Sequence, residues 1–319
     1  MTGRRHDRDD LMAAGPAAGL PLRTALATAM QRLADAGVTS PSVDAQLLVA
    51  HVLGVPRAEL SRRVVLGDAL TGAQAQRFED LVGARADRVP LQHLTGTAGF
   101  RRLELAVGPG VFLPRPETEL LAGLGVEEAG RLVDAGADEV LVVDLCTGSG
   151  AVALSVADEV PRARVVALEL DPSAAAWARR NVERLGLTSR VEIREGDVAL
   201  ADVRLLADVT GRADVVLANP PYIPPGMVPT EPEVRDHDPA VALYGGGADG
   251  LQVPRAVVAT AAALLRPGGF FAMEHADVQG DAVRALVAAA SGWSAARTLH
   301  DLAGRPRTLV ARRVPDSSP

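Results

Sequence analysis

The stretch "VLVVDLCTGSGAVAL" (residues 140–154) constrains the chain more than any other. An apolar run interrupted only by Asp144 leads into a turn holding two glycines, Gly148 and Gly150, and then into a helical pattern. A strand apolar along nearly its whole length is buried on both faces, and such strands occur in parallel sheets covered by helices. The pattern repeats: strands are predicted at 140–144, 164–169, 191–194, 214–218 and 269–274, with helical stretches between most of them. That rhythm specifies an α/β fold, a doubly wound, mostly parallel sheet. The end of the chain, "GWSAARTLHDLAGRPRTLVARRV", reads as two strands around a turn at Gly304, a hairpin closing one sheet edge.

Upstream the period changes. Leu22, Leu26, Met30 and Leu33 fall on one helical face that ends at Gly37. Ser40 and Pro41 open a second helix that stops at Gly54, and Thr71 with Gln74 stand at capping-box spacing before a third. Residues 21–87 therefore read as a small N-terminal helical bundle without strand signal. Residues 88–113 switch to short alternating runs with glycines and read as a β-hairpin connector. Residues 114–313 form the catalytic domain, and 1–20 and 314–319 read as loose tails.

The 319-residue chain is 48% hydrophobic and 23% charged, enough apolar content for a real core. Its net charge of −7 argues against a protein that coats nucleic acid, which needs a basic face. All 33 basic residues are arginines, which we read as compositional bias of the genome. With one cysteine, Cys146, no internal disulfide can form, and a reducing cytoplasm fits. The first residues lack the apolar core of a signal peptide. No apolar run reaches the roughly 18 residues of a membrane span.

The glycine turn lets a ligand approach the backbone, and the helix behind it offers free N–H groups. Glu169, at the end of the next strand, is placed to accept hydrogen bonds from both hydroxyls of a ribose. An adenosine-containing cofactor follows, but Gly148, Gly150 and Ala153 also satisfy the nicotinamide-dinucleotide pattern. Asp197 follows the third strand, where it can line the same crevice or simply cap a turn.

The fourth strand ends in "ANPPYIPP". Asn219 supplies one acceptor and two donors, and the prolines remove backbone donors and fix φ, so that carbonyls are held as acceptors. The site suits a planar –NH2 group, an amide or an exocyclic base amine. The Asn219 side-chain oxygen and the Pro220 carbonyl would hold its hydrogens, and Tyr222 would hold its plane. Aligning that nitrogen with an electrophilic methyl group is catalysis by positioning.

With "DLCTGSGAVALSVA", "VVALELDPSA", "GDV" and "DVVLANPPYIP", the chain resembles class I S-adenosylmethionine-dependent methyltransferases of the NPPY type, with their Rossmann-like sheet. Three further stretches, "GVFLPRPETELL", "DPAVALYGGGADGLQVPRAVV" and "LLRPGGFFAMEHADVQGDAV", narrow the resemblance to the release factor glutamine methyltransferases, over residues 20 to 312. The resemblance implies methylation of the glutamine amide in the Gly-Gly-Gln motif of class I peptide chain release factors. It implies that Cys146, Thr147, Gly148, Ser149 and Gly150 hold the methionine part of S-adenosylmethionine, and that Glu169 holds the ribose. Asp197 and Val198 would flank the adenine, with Asn219 beside the cofactor as well. Asn219, Pro220, Pro221 and Tyr222 would hold the glutamine, and Arg115 and Glu117 of the "PRPETE" signature are expected at the substrate site. A cytoplasmic monomer acting on protein, with no direct nucleic-acid or membrane contact, is expected.

Some positions depart from the family pattern: Cys146 where glycine is usual, His93 and His237 where tyrosine is common, and Asp238 where glutamate is common. His275, Asp277 and His300 could imitate an iron triad, but the strand context is poor and no metal is expected. Arg115 could grip a carboxylate or brace its loop, and Arg101 with Arg102 reads as a solvated turn. Competing readings keep the chemistry on a ribosomal-protein glutamine or on adenine in nucleic acid, or replace it with a nicotinamide-dependent oxidoreductase, which leaves "NPPY" unexplained.

Overall fold

Leu22 and Leu33 lie fully buried on one face of α1 (Leu22–Asp35), with Leu26 and Met30 packed at the edge of the same cluster. The computed structural model describes residues 19–199 and 205–315; the expected tails lie largely outside them. It divides into two compact units between Thr95 and Gly96.

In the first unit α1 packs with α2 (Pro41–Leu53), α3 (Arg57–Leu66) and α4 (Gly72–Ala86). The capping box at α4 forms in both directions: the Gln74 N–H donates to Thr71 Oγ1 at 3.3 Å, and the Thr71 N–H donates to Gln74 Oε1 at 3.0 Å. Ser40 precedes Pro41 but makes no side-chain cap bond. Two features depart from the sequence reading. Leu20–Pro21 pairs antiparallel with Ala69–Leu70, a two-residue ladder too short to leave a period in the sequence. The segment expected as one hairpin connector starts with a helical turn, Leu91–Thr95, that belongs to the first unit.

The second unit opens with the hairpin itself, β1 (Thr97–Phe100) and β2 (Leu103–Ala106). Arg101 at its tip is not a solvated turn residue. With φ at 50°, its guanidinium makes two bonds to Glu159, at 2.6 and 3.0 Å, tying the tip to the helix below. After α5 (Thr118–Asp134) the chain alternates β3 (Val140–Leu145), α6 (Ala151–Glu159), β4 (Ala163–Glu169), α7 (Pro172–Arg184), β5 (Val191–Glu195) and β6 (Ala213–Ala218). Then come α8 (Gln252–Leu264), β7 (Leu265–Glu274), α9 (Gly280–Ala289), β8 (Arg297–His300) and β9 (Pro306–Arg312).

The sheet order is β8-β9-β7-β6-β3-β4-β5, parallel from β7 to β5, with β9 and β8 antiparallel at one edge. The expected closing hairpin is there. β3 is the central strand from which the order runs outward both ways, the switch point at which ligands bind in such sheets. Each face of the sheet buries its own apolar cluster against helices. α5 sits unusually close to the sheet: a Cβ at Gly125 would meet Leu217 of β6 at 2.4 Å. That approach fixes the N-terminus of α5, and with it Thr118, above the end of β6.

Candidate active site

The carboxyl ends of β3, β4, β5, β6 and β7 open into one cavity of about 580 Å³, within the range of small-molecule sites. Its wall includes Cys146, Thr147, Gly148, Ser149, Glu169, Asp197, Val198, Asn219, Pro220, Pro221 and Tyr222, with Arg115 and Glu117 on the loop before α5. Of the residues expected to hold cofactor or substrate, Gly150 alone is not on that wall. Its φ is 85°, and an added Cβ would meet Leu154 at 2.9 Å, so its glycine serves the turn and the packing of α6.

Two carboxylates organise the glycine loop. Glu169 Oε2 accepts the Gly148 N–H at 2.7 Å, and Oε1 accepts the Asp171 N–H at 2.9 Å. Asp144, fully inside β3, accepts the Thr147 hydroxyl at 2.6 Å and the Ala153 N–H at 3.2 Å. Burial raises both carboxyls, that of Asp144 to about 7. Burial also pushes the Cys146 thiol well up, helped by Glu169, Asp144 and Asp197. The fields of three acids therefore meet at this loop. Such a site favours a cation over an anion, and so an adenosine cofactor with a positive centre over a dinucleotide with its pyrophosphate. Gly148, at φ 58°, has nothing within 4 Å of an added Cβ, leaving open space for a ligand. Cys146 itself sits at φ 63°, a left-handed conformation that its side chain disfavours.

The loop is anchored from behind by Asn181 of α7, which is completely buried. Its Nδ2 donates to the carbonyls of Ser149 and Ala106, both at 3.0 Å, and its Oδ1 accepts the Ala106 N–H at 2.7 Å. Asp197 accepts the Ala199 N–H at 2.8 Å, so it caps a turn while lining the cavity.

At the end of β6, Asn219 donates through Nδ2 to Thr118 Oγ1 at 3.1 Å. That leaves Oδ1 as its free acceptor. The backbone beyond it is clamped. The Ile223 N–H donates to the Leu243 carbonyl at 2.9 Å, the Gly245 N–H to the Ile223 carbonyl at 3.1 Å, and Gln279 Nε2 to the Tyr222 carbonyl at 2.9 Å. The first and last glycines of "YGGGADG", Gly245 and Gly250, are required by this contact. A Cβ at Gly245 would meet the Pro221 carbonyl at 2.6 Å, and one at Gly250 the Tyr222 carbonyl at 2.4 Å.

Tyr222 donates to Glu274 Oε1 at 3.4 Å, and burial, with the adjacent carboxylate, raises its phenol. Glu274 ends β7, is 3% exposed, and burial raises its carboxyl to about 7. Arg115 does not reach into the cavity as a free cation. It pairs with buried Asp238 and lies over Phe112, 4.9 Å from the ring centroid. Glu117 accepts from Arg305 at 3.1 Å. Both close the loop over the site.

Thr118, Asp144 and Glu274 were not singled out in the sequence. Asp144 and Glu274 could have been, since each is a lone acid within or ending an apolar strand that points at the crevice. Thr118 left no such signal. Among the described residues, no three His, Cys, Asp or Glu side chains stand together as a metal site, and His275, Asp277 and His300 are not brought together as one.

Two family models match the chain, the PrmC N-terminal domain over residues 24–96 and the Methyltransferase small domain over residues 131–229. The chain is similar to the release factor glutamine methyltransferase of Streptomyces coelicolor, 48% identical over 292 residues, covering 91% of this chain and 97% of that protein. It is similar to the protein of the same name from Mycolicibacterium smegmatis, 45% identical over 294 residues, covering 92% of this chain and 98% of that one. Among solved structures, it is similar to a protein-(glutamine-N5) methyltransferase (release factor-specific) from Alicyclobacillus acidocaldarius, at 26% identity and a TM-score of 0.39, covering 66% of this chain and 100% of that one.

Proposed function

This chain belongs to the release factor glutamine methyltransferase family, and we propose that it methylates the side-chain amide nitrogen of the glutamine in the Gly-Gly-Gln motif of class I peptide chain release factors. As a member of that family it is a methyltransferase that uses S-adenosylmethionine. The cofactor supplies a methyl group made electrophilic by its sulfonium. The residues around the cavity fit it: an open glycine turn, the two carboxylate oxygens of Glu169 for two hydroxyls, and acids that favour a positive centre.

The observation that carries the reading is the polarity of Asn219. Because its Nδ2 turns toward Thr118 and donates one of its two hydrogens there, the other end of the amide offers an acceptor, Oδ1. Pro220 brings a second acceptor, its carbonyl, on a backbone held rigid from Tyr222 to Gly250. Two acceptors on adjacent residues suit the two hydrogens of a primary amide, and the Tyr222 ring, on the same cavity wall, would offer a face for its plane. Fixing that nitrogen is the chain's contribution to the reaction. Asn219 has no basic group and removes no proton. Arg115 and Glu117 act as braces of the overlying loop, through Asp238 and Arg305.

The reading includes a monomer, working in the cytoplasm directly on protein. The net charge of −7 supports the absence of nucleic-acid contact, and no described helix is long and apolar enough to cross a membrane. The ribosomal-protein, adenine and oxidoreductase readings are not favoured, because relatives matched along nearly their whole length carry the release factor name. The test is mass spectrometry of a release factor and of its Gly-Gly-Gln peptide after incubation with the protein and S-adenosylmethionine. One added methyl on the glutamine is expected. Methyl transfer to a ribosomal protein or to nucleic acid in preference to it would overturn the reading.

A further inference from the structure

Two cationic side chains stand on the cavity wall, Arg115 and Arg307. Arg115 is committed to buried Asp238. Arg307 is held far more loosely. Its side chain is 12% exposed, and among the described residues its one ion pair is to Asp301, 3.8 Å from Nε, at the limit of such a contact. The same Asp301 oxygen already accepts Arg305 Nε at 2.9 Å, and Arg307 Nε is buried without a hydrogen-bond partner. Glu274 does not take up the charge, because its Oε2 is unpartnered too. A cation kept this deep with so little to pair it is costly, and each such group needs a reason to persist.

The strand register puts Arg307 on the substrate side of the cavity. Ala218 of β6 is level with Met273 of β7, and Glu274 of β7 is level with Thr308 of β9. The His275 N–H donates to the Arg307 carbonyl at 2.9 Å. Asn219, Glu274 and the start of β9 therefore stand in a row at one end of the sheet. Two strand spacings, about 10 Å, separate the backbones of Arg307 and Asn219, a gap that an arginine side chain and a bound amide fill between them. The glycine loop follows β3, on the other side of β6, so Arg307 lies beyond Asn219 from the cofactor loop. Its charge acts on Tyr222 and Glu274, the wall groups at that end.

A primary amide has an oxygen as well as two hydrogens. Asn219 Oδ1 and the Pro220 carbonyl suit the hydrogens and leave the oxygen without a donor, which is costly once water is excluded. We propose that Arg307 is a substrate-binding residue whose guanidinium donates to the side-chain amide oxygen of the glutamine. The proposal rests on the reading of Asn219 as the grip on that glutamine. Acceptors on one side and a cationic donor on the other match glutamine and reject its near shapes. Glutamate would bring no hydrogens to the two acceptors, and leucine would leave Arg307 buried and unpaired.

The test is a binding comparison by calorimetry. Wild type and Arg307→Met, each saturated with adenosylhomocysteine, are titrated with a release factor and with the same release factor carrying leucine in place of the motif glutamine. Arg307→Met should bind the glutamine form roughly 10- to 100-fold more weakly than wild type does, the scale of one charged hydrogen bond. It should bind the leucine form as well as wild type does, and its adenosylhomocysteine affinity should be unchanged. A preference for glutamine that survives in Arg307→Met overturns the proposal. So does equal weakening toward both release factors, which would make Arg307 a brace of the fold. If Arg307→Met does not fold, Arg307→Gln, polar but uncharged and too short to reach, is judged by the same preference. A wild type that does not distinguish the two release factors removes the glutamine reading itself, and the proposal with it.

Discussion

Gly148 and Glu169 are joined at 2.7 Å, backbone N–H to carboxylate, so the acid proposed to hold the ribose already holds the glycine turn. Its two functions should separate by substitution. Glu169→Gln keeps the side chain's size but loses its charge and one acceptor. Charged hydrogen bonds are worth ~1.5–3 kcal/mol, so adenosylhomocysteine affinity should fall at least about tenfold. Glu169→Ala also frees the Gly148 and Asp171 N–H groups and should lower the melting temperature as well. Calorimetric titration and thermal melting of the two variants check this; unchanged affinity in both would remove Glu169 from the cofactor site.

Cys146 holds a left-handed backbone conformation that costs an L-residue ~1–2 kcal/mol, and a glycine there pays instead in unfolded-state entropy, about 0.5–1 kcal/mol. Cys146→Gly should therefore leave stability unchanged or raise it by up to about 1 kcal/mol, with cofactor binding kept. Cys146→Val, branched at Cβ, should destabilise the protein. Chemical denaturation of the three proteins measures the order, and a clear loss in Cys146→Gly would mean the thiol contributes packing that outweighs the strain.

Asn219→Ala should retain most cofactor affinity and lose turnover by roughly 10²-fold, because its work is orientation. Asn219→Asp should fail too. It keeps acceptor oxygens but adds a charge beside the glutamine carbonyl, and it no longer has an N–H for Thr118. Single-turnover rates at saturating cofactor decide; wild-type turnover in Asn219→Ala would reduce the strand end to a structural turn.

Gly245→Ala should damage turnover without touching the cofactor loop. The new methyl would press on the Pro221 carbonyl and on the Gly250 carbonyl, 1.9 Å from an ideal Cβ. Overpacking of this kind costs ~1–3 kcal/mol and shifts the backbone that presents the acceptors. Lower stability and slower transfer are expected together, with adenosylhomocysteine binding retained, as calorimetry and single-turnover assays would report.

Burial raises the carboxyls of Asp144 and Glu274 to about 7 in the folded protein. Between the unfolded value and the folded one, the native state binds more protons than the unfolded chain, so stability falls as pH rises. The contribution is fully present below about pH 4 and lost by passage through about pH 7. Glu274→Gln, which cannot ionise, should therefore melt higher relative to wild type at about pH 8 than at about pH 5. Melting curves of both proteins at the two pH values test this, and a difference that does not change between them would mean Glu274 titrates normally.

The sheet was legible in the sequence because its central strands are apolar on both faces and bounded by glycines and turn residues. The five predicted strands fall within Val140–Leu145, Ala163–Glu169, Val191–Glu195, Ala213–Ala218 and Leu265–Glu274. Asn219 and Glu169 were legible for a related reason, as polar groups at the ends of apolar strands. What stayed hidden depends on distance along the chain or on brevity. Thr118 meets Asn219 across 101 residues, and no local period announces such a pairing. α3, with a single buried residue, Leu60, carries little pattern, and the two-residue ladder of the helical unit carries none. Arg115 was legible as a special residue, but its partner Asp238 lies far downstream, so its bracing of the loop could not be read from the signature.

Asn181 sets a limit on how far the enzyme could be trimmed. The residues that line the cavity start at Gly110, which invites the view that the hairpin before them is a spacer. Yet one buried amide, that of Asn181, hydrogen-bonds Ala106 at the hairpin's end and Ser149 in the glycine loop. A fragment beginning at the proline-rich signature would strand that amide in an apolar interior and leave the loop without its rear support. The smallest piece able to keep a formed cofactor site therefore begins ahead of Thr97, and insertions tolerated in an ordinary linker would not be tolerated between β2 and the signature.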